Sequence, residues 1–320
     1  MRIFKNIGKW IGIAFIGIIV AFVTIVGGLT VFHHVSLAME RGQLENPGQL
    51  VTVNGNKMNI YARGEQNGNP TLLFISGAGT ASPIYNFMPL LNLLPDYKLV
   101  VVERFGYGYS DIVNNLDRSI SSILSDTREA LTIAEIHPPF ILLPHSMGGL
   151  EALYWANKYP TEVEAIIGLD MATPDSYKYL DFDSEKAQIE MAMTLKFFGL
   201  SRIMGNTQGT TDLTSHQKRQ QSILGHRNFV NTSLVAEGLA LLDNIEAVKE
   251  SIRENGIPNI PMLLFTSHGK DIDNHWLPSQ QNFAQKTGSR LIELYVGHYV
   301  FQYQPQQIAT EIIKFVEELS

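Results

Sequence analysis

At 320 residues, 45% hydrophobic and 17% charged, the chain has ample length for a large core, as one domain or one domain with an insertion. A net charge of −7 without any basic stripe argues against nucleic acid as a partner. The absence of cysteine removes disulfide frameworks, thiol nucleophiles and thiolate metal sites, and no nucleotide, flavin or metal motif stands in the sequence, so no cofactor is expected.

Residues 1–10 carry Arg2, Lys5 and Lys9 and lead into "IGIAFIGIIVAFVTIVGGLTVF" (11–32), a run without a single charge. As a helix it reaches roughly 33 Å, enough to cross a hydrocarbon core of about 30 Å. The positive charges precede it, so the N-terminus is expected in the cytoplasm and everything after Phe32 outside, with this helix as a single-pass signal anchor in the cell membrane. A cleaved signal peptide competes, with Ser36 and Ala38 as the small residues before the cut. Its apolar region would span only about 7–15 residues, which favours the anchor. Residues 33–49 read as a polar connector.

"VTVNGNKMNIYARG" then alternates around Asn54-Gly55, a hairpin signal. Apolar strand runs follow at 71–76, 98–103, 140–144, 164–170, 261–265 and 290–296, and most are separated by helical stretches such as "SISSILSDTREALTIAEI" and "GLEALYWANKY". Continuous apolar strands alternating with helices predict an α/β fold, a mostly parallel sheet covered on both faces, over 50–172 and 259–320. The stretch 173–258 has helical patches but no strand, and is too long for a simple βα connection. It reads as a helical cap. Within it, "IEMAMTLKFFGL" (189–200) is expected to pack onto the sheet domain, or else to line an apolar acyl pocket with Met193 and Phe197.

The chemistry gathers around "FILLPHSMGGLEALYWA" (140–156), where a strand runs through His145-Ser146-Met147-Gly148-Gly149 into a helix. That strand–turn–helix context resembles the nucleophile elbow of the α/β-hydrolase fold, with Ser146 as nucleophile. Pro144 departs from the glycine usual in the family. "LLFISGAGTASPIYNF" resembles the family's loop after its third strand, with Ser76 in place of histidine. The resemblance implies that the backbone N–H groups of Ala78 and Met147 form the oxyanion hole, worth roughly 10²–10³ in rate per donor. "ERFGYGYSD" (103–111) resembles the segment after the fourth strand, with Glu103 replacing aspartate, and is read as structural. His298, after the last apolar strand, occupies the place of the family's base. His145 is read as a packing neighbour.

The acid has three candidates. Gly269-Lys270-Asp271 fits the family spacing after the seventh strand and makes Asp271 the expected partner of His298, with Asp273 and Asp170 as alternatives. The resemblance thus implies a serine hydrolase, carboxylesterase- or lipase-like, that cleaves a small-molecule ester or similar acyl substrate through an acyl-serine. A serine elbow sets the chain apart from the dehalogenase and epoxide hydrolase branches, which form their ester on an aspartate there. An aminopeptidase-type amide hydrolase and a non-catalytic binding module on the same fold are the rival readings.

Overall fold

The structure, a computed structural model, describes residues 2–65, 68–179, 181–203, 210, 212–270 and 272–319. Helix α1 (Arg2–Arg41) precedes a hairpin of β1 (Gln49–Val53) and β2 (Asn56–Arg63). Asn54 and Gly55 turn it with φ of 48° and 77°, the left-handed pair that a tight two-residue hairpin requires. The chain continues through β3 (Thr71–Ile75), α2 (Pro83–Leu91), β4 (Lys98–Glu103), α3 (Ile120–Ile133), β5 (Phe140–Ser146), α4 (Gly148–Lys158) and β6 (Val163–Met171). Helices α5 (Phe182–Phe197), α6 (Leu200–Ile203), α7 (Ser215–Asn228), α8 (Thr232–Leu239) and α9 (Leu241–Asn255) come next. The chain closes with β7 (Met262–Thr266), α10 (Trp276–Thr287), β8 (Arg290–Glu293), α11 (Val300–Tyr303) and α12 (Pro305–Leu319).

The eight strands form one sheet in the order β1-β2-β4-β3-β5-β6-β7-β8. Only β2 runs against its neighbours; β3 to β8 are parallel. Alternation along each strand divides the core in two. Leu73, Ile75, Val100 and Leu142 face one layer, with α3, α4, α9 and α10 over it. Leu72, Phe74, Val101 and Leu143 face the other, under α2, α11 and α12. Parallel order sends all the β-to-α loops of the central strands to one edge, where a site can be assembled from separate strand ends.

Helices α7 and α8 cover that edge and are pinned to it by polar contacts. Asn228 Nδ2 donates to the carbonyls of Ala81 and Gly108, both at 2.8 Å, and Asn231 Nδ2 to that of Gly106 at 2.7 Å. Beneath them lies a buried ionic cluster. Arg104 reaches Glu151 and Glu237 at 3.0 Å each, Arg118 holds the other oxygen of Glu237, and the Tyr107 hydroxyl donates to Glu237 at 2.6 Å. Two cations and two carboxylates balance in charge, so the cluster ties α8 to the segment after β4 without leaving a net buried charge.

Two expectations need correction. Residues 33–41 are not a connector: α1 runs on through "HHVSLAMER" because nothing breaks it before Gly42. Nor does the stretch 189–197 pack onto the sheet: none of it is buried, and α5 meets α6 and α8 instead, with Phe182 at its start reaching the core.

Candidate active site

Ser146 stands where β5 meets α4, with φ of 50°. A left-handed backbone is costly for a residue with a Cβ, by about 1 kcal/mol or more, and lifts the side chain clear of the strand end. Two glycines allow the corner. A Cβ on Gly148 would fall 2.8 Å from the Ile75 carbonyl oxygen, so α4 starts hard against β3. One on Gly77 would fall 2.6 Å from the Ser146 Cβ and 3.2 Å from its Oγ, so the loop after β3 passes directly beside the serine. β5 runs through Pro144, in register with Ile75, and the departure from glycine leaves the strand whole.

The register of β5 and β6 sets Ser146 opposite Met171, one residue past Asp170. Asp170 also has a left-handed φ, 54°, and is fully buried. Its Oδ2 lies 2.6 Å from His298 Nδ1. Its Oδ1 accepts from Ser267 N at 2.9 Å, Trp276 Nε1 at 2.7 Å and Thr266 Oγ1 at 3.1 Å. Burial pushes this carboxyl up, but the hydrogen bond and charge of His298, with the Trp276 and Ser267 donors, hold it below the usual carboxylate range.

The carboxylate that the structure shows paired with His298 is that of Asp170. Asp271 itself lies outside the described residues. The other candidate of that loop, Asp273, turns back on its own segment and binds His275 N at 2.7 Å and Nδ1 at 2.8 Å. The physical reason is the length of β6. It extends to Met171, which carries Asp170 one residue beyond the Leu169–Phe265 pair, level with Thr266 at the end of β7, where the Thr266 hydroxyl and the Ser267 N–H face it.

His145 is buried against the base: its ring centroid lies 4.5 Å from that of His298, and its Nε2 lies 3.2 Å from the His298 carbonyl oxygen. Burial, reinforced by the neighbouring His298, pushes its pKa well below the ordinary imidazole value. Trp276 closes another side, edge-on to His298 at 5.3 Å. Nothing in the sequence marks Trp276, whose role follows from α10 beginning beside β6.

Ala78 lies exposed on the loop that passes Ser146, and Met147 is the N-cap of α4, where a backbone N–H is outside the helical ladder. Glu103, by contrast, is fully buried and accepts from Tyr109 N at 2.8 Å and Asn59 Nδ2 at 3.0 Å. It braces the turn after β4. No group of three or more metal-ligating side chains occurs among the described residues.

Residues 70–286 match the family described as alpha/beta hydrolase fold. The chain belongs to that family. It is 30% identical to the uncharacterized protein YbdG of Bacillus subtilis, over 98% of this chain and 99% of the relative. Among solved structures, a carboxylesterase of Nitrososphaera gargenis superposes with a TM-score of 0.62 at 17% identity, covering 85% of this chain and 98% of the other. A putative epoxide hydrolase of Pseudomonas aeruginosa superposes with a TM-score of 0.66 at 14% identity, covering 85% and 95%. At such identities the likeness is one of fold.

Proposed function

We propose that this chain is a membrane-anchored serine hydrolase that cleaves a carboxylic ester or similar acyl substrate, with Ser146, His298 and Asp170 as its triad. The observation that carries the reading is the 2.6 Å pair of His298 and a buried, ionised Asp170 beside a serine on a left-handed elbow. Asp170 Oδ2 keeps the proton of His298 on Nδ1 and leaves Nε2 as acceptor. His298 takes the Ser146 proton as Oγ bonds to the acyl carbon. The N–H groups of Ala78 and Met147 bear the negative charge that collects on the carbonyl oxygen. Collapse of that intermediate breaks the bond to the leaving group, which receives the proton from His298. Water, deprotonated by the same histidine, then attacks the acyl-serine, and the acid leaves as the acyl–oxygen bond breaks and His298 returns the proton to Ser146 Oγ.

The long apolar helix supports anchoring: α1 is long and apolar enough to cross a membrane, and the 18 residues that qualify it are all unburied. With Arg2, Lys5 and Lys9 ahead of it, the positive-inside rule puts the catalytic domain on the extracytoplasmic side. The test is a fluorophosphonate probe together with p-nitrophenyl esters of graded chain length. The wild type should be labelled and should turn over at least part of the series, and Ser146→Ala should do neither. An unlabelled, inactive wild type refutes the reading.

A further inference from the structure

The end of α1 does not stand free. Gly199, at the turn between α5 and α6, lies so close that an added Cβ would fall 2.8 Å from the His33 Cβ and 3.3 Å from the Leu29 carbonyl oxygen. The Phe197 ring lies 5.4 Å from that of His34, and the Arg202 guanidinium lies 5.8 Å from the Phe32 ring. Arg202 also pairs with both oxygens of Glu40, at 2.9 Å and 2.6 Å. The α5–α6 turn is therefore held at the height of residues 29–34.

That height has a meaning for a spanning helix. The uncharged run 11–32 covers roughly 33 Å, about the thickness of the hydrocarbon core, so Leu29 to Phe32 form the turn where hydrocarbon gives way to headgroups. Around the docked turn α5 and α6 present apolar side chains outward. Met191 on α5 and Phe198, the residue that caps its C-terminus, are 59% and 39% exposed. Ile203, on α6, is 61% exposed. The acidic residues of α5 sit mainly at its far end, Asp183 and Glu185 in the first turn. Glu190 is the exception.

We propose that this α5–α6 surface is a second membrane contact, immersed at the headgroup boundary of the leaflet from which α1 emerges. It rests on α1 spanning the membrane. Burial of the patch in the leaflet removes from water the apolar surface that the sheet domain leaves uncovered.

The chain has no cysteine, so single cysteines report position without background. The full-length chain is reconstituted in phosphatidylcholine/phosphatidylglycerol vesicles, with bimane attached in turn to Met191→Cys, Phe198→Cys, Ile18→Cys in mid-α1, and Ile133→Cys. Ile133 ends α3, which leads into the start of β5, at the edge of the sheet opposite Ser146. Brominated lipid should quench the labels at 18, 191 and 198, and aqueous iodide should quench only the label at 133. Iodide quenching at 191 and 198 with lipid quenching at 18 overturns the proposal and leaves the anchor standing. Protection of 191 and 198 from both quenchers overturns it in favour of a protein partner or a second copy. Iodide quenching at 18 removes the anchor, and the proposal with it.

Discussion

Replacing Asp170 by asparagine tests the acid of the proposed triad in a way that the hydrogen bonds around it make unusually clear. Ser267 N and Trp276 Nε1 are obligate donors aimed at Oδ1. The substituted amide must therefore turn its oxygen toward them, which leaves its NH₂ facing His298 Nδ1. A donor there forces Nδ1 to accept, moves the ring proton to Nε2, and removes the acceptor that Ser146 needs. The loss should approach the roughly 10⁴-fold seen when a triad carboxylate becomes an amide, about 5 kcal/mol of transition-state stabilisation. The fold should survive, because the donors to Oδ1 still find an oxygen. The assay is kcat on a p-nitrophenyl ester, with the melting temperature followed in parallel. Asp273→Asn and Asp271→Asn serve as comparisons and should stay near wild type. If Asp170→Asn keeps kcat within about tenfold of wild type while Asp271→Asn collapses, the Asp170–His298 pair is not the catalytic one.

Gly77→Ala should lower kcat by about 10²-fold or more with a small change in melting temperature, since the new methyl displaces the loop carrying the Ala78 N–H away from Ser146. Glu237→Ala takes from buried Arg118 the carboxylate that pairs with it and leaves Arg104 with Glu151 alone, and should cost about 3–5 kcal/mol in denaturant unfolding; a loss under about 1 kcal/mol would mean that the cluster does not hold α8. His145 is kept neutral in the fold but takes a proton when unfolded below about pH 6.5, so the unfolded state binds more protons there and stability falls as pH drops from 6.5. The slope contributed is up to about 1.4 kcal/mol per pH unit, and His145→Gln should flatten the stability–pH curve between about pH 6.5 and 5.5.

The sheet was legible because its strands are apolar and punctuated: β4 spans the run 98–103 to the residue, and Asn54-Gly55 marks the hairpin. Ser146 was legible for a similar reason, as its strain demands small neighbours that show in the sequence. The acid was not. A loop aspartate after glycine looks the same on paper whether it faces the base or, as Asp273 does, its own histidine. What places Asp170 is that β6 runs on to the level of Thr266, the last residue of β7, and strand ends are where sequence patterns say least. The reach of α1 was hidden by composition, because a polar stretch such as 33–41 is compatible with loop or helix until its docking partner is known.

The continuity of α1 has a kinetic consequence. A catalytic domain on a flexible tether would tumble over its attachment point and present its mouth in every direction. Here α1 enters the α5–α7 region as one rod, clamped by the Arg202–Glu40 pair and by contact with α7, so that, if α1 is the anchor proposed above, the domain keeps little freedom beyond rotation about the membrane normal. In the proposed membrane setting, encounters with substrates in the same plane become a two-dimensional search at fixed orientation, with the rotational cost of association already met by the fold.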